Sequence, residues 1–157
     1  MKTLTRKEFL LQGLFWSGMF IFLFSFLERS KPTQSDDTLK PVKLTRPETL
    51  ALNTITAYPA YQIWLIRSAK GFYALRSSCT HMGCAPELRG SNFHCPCHHS
   101  AFDLEGLRLS GPALRALERY RLFWNSQGEI MLDRSVVYHH EKGEWTLPGA
   151  FLPFTST

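Results

Sequence analysis

The sequence predicts an all-β head domain carried on one membrane-spanning helix. Three observations lead there. Between Val42 and Leu132 the chain breaks into short runs of β-forming residues separated by turn signals. Phe9–Leu27 is nineteen residues without a charge, six of them phenylalanine. The stretch between these two regions, 28–41, is polar, carries two prolines and shows no periodicity. Short strands at this spacing indicate a β-sandwich or a barrel.

Taken in order, residues 1–8 hold Lys2, Arg6 and Lys7 and read as a short cytoplasmic N-terminus. As a helix, Phe9–Leu27 would span roughly 28 Å at about 1.5 Å per residue, close to the roughly 30 Å of a bilayer's hydrocarbon core. No small-x-small cleavage site follows Leu27, so a retained anchor at 9–27 fits better than a cleaved signal. Residues 28–41 form a flexible linker of fourteen residues, able to reach about 45–50 Å when extended. That reach suits either a swinging tether or a plain spacer clear of the headgroups.

The head is expected over 42–134. Thr49–Tyr58 is rich in β-formers, and Tyr61–Arg67 is an almost unbroken apolar run. Ser68-Ala69-Lys70-Gly71 reads as a turn, followed by a strand at Phe72–Leu75. Ser91–His94 and Ala101–Asp103 read as short strands, and Arg119–Trp124 with Glu129–Leu132 as a hairpin across Asn125-Ser126-Gln127-Gly128. Residues 135–157 have no clear period and are expected to lie as a tail on the surface. The formal charge of +5 is scattered, with no basic run longer than Arg6-Lys7, so a nucleic-acid role is not supported.

All four cysteines fall between Cys79 and Cys97, in CTHMGC (79–84) and CPCHHS (95–100), with His81 and His98 beside them. Soft thiolates and imidazoles gathered in this way suit zinc, copper or iron–sulfur chemistry. The spacings Cys79-x4-Cys84 and Cys95-x-Cys97 depart from paired zinc knuckles. Two plain disulfides would leave His81 and His98 without a role. A copper centre would want an axial methionine, and Met82, next to His81, is badly placed in a tight loop. Two loops that each offer a cysteine and a histidine match a cluster with one thiolate-bound and one imidazole-bound iron.

These two segments resemble the cluster loops of the Rieske [2Fe–2S] proteins. Gly111-Pro112-Ala113 resembles the proline-containing loop that covers the cluster in the quinol-oxidising subfamily. The resemblance implies a Rieske-type antiparallel β-sandwich with the cluster at its tip. It implies Cys79 and Cys95 as ligands of one iron, His81 and His98 as ligands of the other, and a Cys84–Cys97 disulfide joining the loops. Rieske ferredoxins and ring-hydroxylating dioxygenases resemble the motif but lack that extra cysteine pair, so the likeness is to the membrane-complex branch. Thr5-Arg6-Lys7-Glu8-Phe9-Leu10-Leu11 also resembles a twin-arginine export signal, with Lys7 where the second arginine belongs.

By the same resemblance Ser100 is the serine whose hydroxyl points at a cluster sulfur. Phe102 stands where high-potential relatives carry a tyrosine whose hydroxyl reaches a ligand thiolate. One hydrogen-bond donor is then missing and the potential is expected to be lower. That suits a low-potential donor such as menaquinol. His99 stands where many relatives have glycine, and reads as a tolerated surface residue. His94 is expected to be structural, and His139 and His140 to lie in the tail.

The implied function is that of an iron–sulfur subunit. Its exposed ligand His98, with His81 beside it, would meet a quinol bound in a cytochrome b partner, take an electron and a proton, and pass the electron to a c-type cytochrome. The head would lie on the periplasmic or lumenal side of the bilayer. A small subunit of an arsenite-oxidase-like molybdenum oxidoreductase resembles the chain in Phe102, in the disulfide and in its export signal, but the Gly111-Pro112-Ala113 loop and the long anchor favour the quinol complex.

Overall fold

The structure, a computed structural model, describes residues 40–154. The expected N-terminus, the anchor at 9–27 and the linker up to residue 39 lie outside the described residues. Among those described, no helix is long and apolar enough to cross a membrane.

The described chain is all-β, with a few 3-10 turns. In order, the strands are β1 (Val42–Thr45), β2 (Thr54–Tyr58), β3 (Ile63–Arg67), β4 (Gly71–Arg76), β5 (Glu87–Arg89), β6 (Asn92–His94), β7 (Ala101–Phe102), β8 (Arg108–Ser110), β9 (Arg119–Trp124), β10 (Ile130–Tyr138) and β11 (Leu152–Pro153). Seven of them form one antiparallel sheet in the order β1-β10-β9-β4-β3-β2, with β11 paired to β4. The other four, β5-β6-β7-β8, form a small sheet that carries the cysteine loops.

The apolar run at 61–67 is explained by burial on both faces. Along a strand, successive side chains point to opposite sides. Ile63 and Leu65 of β3 join Phe72 and Ala74 of β4 in one apolar cluster, with Leu122, Ile130, Leu132 and Leu152. Trp64 and Ile66 join Tyr73 and Leu75 in the other, with Phe93, Phe102, Cys79 and Cys95. No polar alternation is possible where both faces are covered. The second cluster fastens the small sheet to the large one. Trp64 stacks on Phe93 with ring centroids 4.3 Å apart, and Phe93 pairs with Phe102 across β6 and β7. The floor of the cysteine loops is therefore the shared core of the two sheets.

The β9–β10 hairpin forms as its sequence predicts. Asn125 Oδ1 accepts the Gln127 and Glu129 N–H groups, both at 2.9 Å, and the Gly128 N–H returns to the Asn125 carbonyl at 3.2 Å. Glu129 is held in its ionised form, its pKa lowered by the Asn125 amide and further by Arg46 and Lys43. Both cations sit on or beside β1, at 3.4 and 3.5 Å, so the turn also secures that edge strand.

Two differences from the sequence reading are the largest. β2 begins at Thr54, because Pro47–Thr49 takes a 3-10 turn instead of joining a strand. The region from 135 onward is no loose tail. β10 runs through to Tyr138 past a register shift after Asp133, and β11 completes the sheet beside Phe72. Ala150 and Leu152 are buried. A two-residue strand and single apolar anchors leave no period in a sequence, which is why this part was illegible there.

Candidate metal centre

The two cysteine loops have the same backbone. In the first, which leads from β4 to β5, the Cys79 N–H donates to the Cys84 carbonyl and the Gly83 N–H to the Cys79 carbonyl, both at 2.8 Å. In the second, between β6 and β7, the Cys95 N–H donates to the Ser100 carbonyl at 2.8 Å, and the His99 N–H to the Cys95 carbonyl at 3.0 Å. Gly83 and His99 therefore occupy equivalent positions. Both have positive φ, 81° and 58°, a region that costs a residue with a Cβ. His99 is thus set by the loop's backbone as much as by surface chemistry.

Side chains sort into layers. Cys79 and Cys95 are free thiols, 3% and 2% exposed. His81 and His98 are exposed in front of them, their rings edge to face with centroids 4.8 Å apart. Cys84 and Cys97 form a disulfide that joins the loops. Closing about fourteen residues in this way contributes roughly 3 kcal/mol in the chain-entropy view, which suits loops with little core of their own. The Sγ atoms of Cys84, Cys95 and Cys97 lie within 4.8 Å of one another. Two of these sulfurs are already bonded to each other, so the trio marks the disulfide's seat against Cys95 and is no ligand set.

Burial pushes the Cys79 thiol's pKa up; the His81 backbone N–H opposes this, the neighbouring Cys95 adds to it, and the Ser100 hydroxyl opposes it. A buried thiol raised in this way is drawn towards the thiolate by a cation against it. Two thiols behind and two imidazoles in front make the donor set of a [2Fe–2S] cluster of mixed ligation. The residues present fit that group; Cys79 and Cys95 would hold one iron and His81 and His98 the other.

Ser100 is fully buried. Its oxygen accepts the Ala113 N–H at 3.0 Å, which leaves its single proton free for Cys79. Gly111, at φ 88°, lies so close to the second loop that a Cβ there would come within 2.4 Å of Ser100 Cα. Pro112 follows it, exposed. Phe102 is fully buried in the apolar cluster that includes both free cysteines. The expected site residues Cys79, His81, Cys84, Cys95, Cys97, His98, Ser100, Phe102, Gly111 and Pro112 thus fall at one end of the small sheet. His94 is half-buried on β6, while His139 and His140 lie in the C-terminal stretch. The sequence reading missed the Thr80 hydroxyl, which donates to the Arg115 carbonyl at 2.7 Å. It weighed Met82 only as a copper ligand and missed Leu114; they are 72% and 88% exposed. A hydroxyl that bonds a carbonyl 35 residues away leaves no local signal.

The loop equivalence gives a test. His99→Gly is expected to stay within about 1 kcal/mol of the wild type, because relief of the left-handed backbone offsets added chain entropy. His99→Val is expected to lose about 1–2 kcal/mol, since a β-branched residue fits that region worst. Chemical denaturation of both variants measures the difference; equal losses would contradict the equivalence.

Comparison with known proteins agrees with the geometry. Residues 41–121, just over half of the chain, match the family described as "Rieske [2Fe-2S] domain". The chain is similar to part of carotenoid phi-ring synthase of Chlorobaculum tepidum, 46% identical over 59 residues, 36% of this chain and 9% of that protein. It is similar to the cytochrome bc1 complex Rieske iron-sulfur subunit of Streptomyces lividans, 42% identical over 68 residues, 40% of each chain. It is also similar to the cytochrome b6-f complex iron-sulfur subunit of a Synechococcus species (strain CC9605), 44% identical over 57 residues, 35% of this chain and 32% of that one. In each case the likeness spans less than half of the relative's length. With the matched residues enclosing both cysteine loops and their cover, the chain belongs to the Rieske [2Fe–2S] family, and a [2Fe–2S] cluster is its cofactor.

Proposed function

We propose that this protein is the iron–sulfur subunit of a cytochrome bc or b-f type complex, receiving an electron and a proton from quinol and delivering the electron to a c-type cytochrome. The observation that carries the reading is the tip itself. His81 and His98 stand exposed side by side, and Met82, next to His81 in the chain, and Leu114, one residue from the Arg115 carbonyl bonded to Thr80, are exposed apolar side chains. Apolar groups displayed around polar ones mark a docking surface. The names of the Streptomyces and Synechococcus relatives support the same reading.

When bound, the [2Fe–2S] cluster supplies reversible one-electron transfer. The residues do the rest. His98 presents its imidazole to solvent, where it can accept the quinol hydroxyl's proton, and His81 holds the neighbouring face. Met82 and Leu114 exclude water once a cytochrome b surface covers them. Cys79 and Cys95 stay out of contact with the partner. The Cys84–Cys97 disulfide belongs to an oxidising compartment, which agrees with a head on the periplasmic or lumenal side, anchored in the bilayer by residues 9–27 and tethered through 28–41.

Phe102 favours one refinement and also one rival. A fully buried phenyl beside the two free cysteines offers them no hydroxyl, which suits a low-potential donor such as menaquinol. The same feature fits a small subunit of an arsenite-oxidase-like molybdenum oxidoreductase.

Two experiments decide. Mild detergent extraction should copurify a b-type haem subunit, and a quinol-site inhibitor should change the paramagnetic resonance line shape of the reduced membranes. A copurifying molybdenum subunit with no inhibitor response would replace the proposal by its rival. Separately, Phe102→Tyr should raise the midpoint potential. A hydrogen bond favouring the reduced state by about 1 kcal/mol shifts a one-electron couple by about 40 mV. A titration showing no upward shift would remove the argument for a lowered potential.

A further inference from the structure

Residues Ala113 to Leu117 cover one side of the two cysteine loops without belonging to any strand or helix. Ala113 and Leu117 seat it in the apolar cluster, and the partners of its backbone groups fix its position there. The Leu117 N–H donates to the Gly106 carbonyl at 2.8 Å. Three further anchors are side chains. The Ala113 N–H donates to Ser100 Oγ at 3.0 Å, the Arg115 carbonyl accepts from Thr80 Oγ1 at 2.7 Å, and the Ala116 N–H donates to Glu141 Oε1 at 2.6 Å. Ser100 and Thr80 belong to the two cysteine loops. Glu141 belongs to neither, and lies beyond residue 121, where the family match ends.

The stretch around Glu141 is itself well seated. The His139 N–H donates to Glu144 at 2.8 Å. Trp145 lies against the buried Arg119 guanidinium, 3.8 Å from carbon to ring centre, and Tyr73 lies against the same guanidinium at 4.2 Å. Glu118 binds Arg76 at 2.7 Å and faces His139 at 3.7 Å. The carboxylate of Glu141 thus projects from a fixed base onto a buried alanine's N–H.

We infer that Glu141 is a positioning residue for the cluster site: it holds the 113–117 cover down, and through that cover it sets the Ser100 hydroxyl and the backbone next to His81. The path is short. From Ala116 it runs one residue to Arg115, whose carbonyl takes the Thr80 proton, and Thr80 precedes His81. Two residues further on it reaches Ala113, whose N–H orients the hydroxyl that reaches Cys79. A raised cover would free Ser100 to turn its proton away from sulfur, and the reduced cluster would lose that stabilisation. The inference rests on the cluster being held between the two loops, and is independent of which partner delivers the electron.

The test is a redox titration with resonance spectra of the wild-type protein and four variants. Glu141→Ala should lower the midpoint potential and shift the g-values. Glu141→Gln should keep both near wild type, because the amide oxygen still accepts the Ala116 N–H. Thr80→Val cuts the other end of the path and should shift the potential in the same direction, with the double variant shifted by less than the two shifts added. An unchanged potential in folded Glu141→Ala, even with a lower Tm, would reduce Glu141 to a structural contact and overturn the inference. Should that variant fail to load its cluster, an unchanged potential in Thr80→Val would overturn it equally. Absence of any cluster in the wild type would instead remove the site reading itself.

Discussion

Everything at the tip depends on the covalent tie between two loops that cannot hold each other. Each cysteine loop closes on itself with two backbone hydrogen bonds, and each hangs from a short strand of a small sheet. Cys79 and Cys95 lie in the core cluster, with Cys84 packed against it. The Cys84–Cys97 bridge joins these loops, in which two thiols are buried and two imidazoles stand exposed edge to face. Ligand geometry for a mixed-ligand cluster has to be set by the protein, because thiolate and imidazole ends are not interchangeable. The bridge does so with almost no apolar area.

Under the bridge, the arrangement is one of ordinary packing turned to a redox purpose. Trp64 and Phe93 lock the small sheet to the large one, and Phe102 lies in the same cluster as the free cysteines. The site's floor is dry and its rim is wet. That gradient keeps water from the sulfurs, while the imidazoles remain open to solvent or to a partner. The third segment, from Gly111 to Leu117, adds what neither loop provides: a backbone N–H that fixes the direction of the Ser100 proton. Gly111 makes this possible by allowing backbone to lie on backbone, where a Cβ would collide with Ser100.

How much of this was legible follows from how local each signal is. Cys79, His81, Cys95 and His98 lie within twenty residues, and their chemistry is unusual enough to read without a fold. The Asn125–Gly128 hairpin was legible because its turn chemistry is contained in four residues. The doubly buried β3 showed itself as an apolar run, although the run could not say which side chain faces which core. Long-range placement left no such trace. Nothing near Glu141 announces that its carboxylate meets Ala116, and nothing in the residues after Tyr138 announces a strand beside Phe72. His99 was read as a tolerated surface residue; its positive φ and its equivalence to Gly83 emerge only when the two loops are compared.

The central claim is that Cys79 and Cys95 hold one iron and His81 and His98 the other. Pulsed paramagnetic resonance of the reduced protein, prepared with 15N-labelled histidine, measures this directly. Two strongly coupled histidine nitrogens, reduced to one when either His81 or His98 is replaced, is the result expected. A reduced cluster with no strongly coupled histidine nitrogen would contradict the assignment, and with it the reading of the tip as a proton-accepting surface.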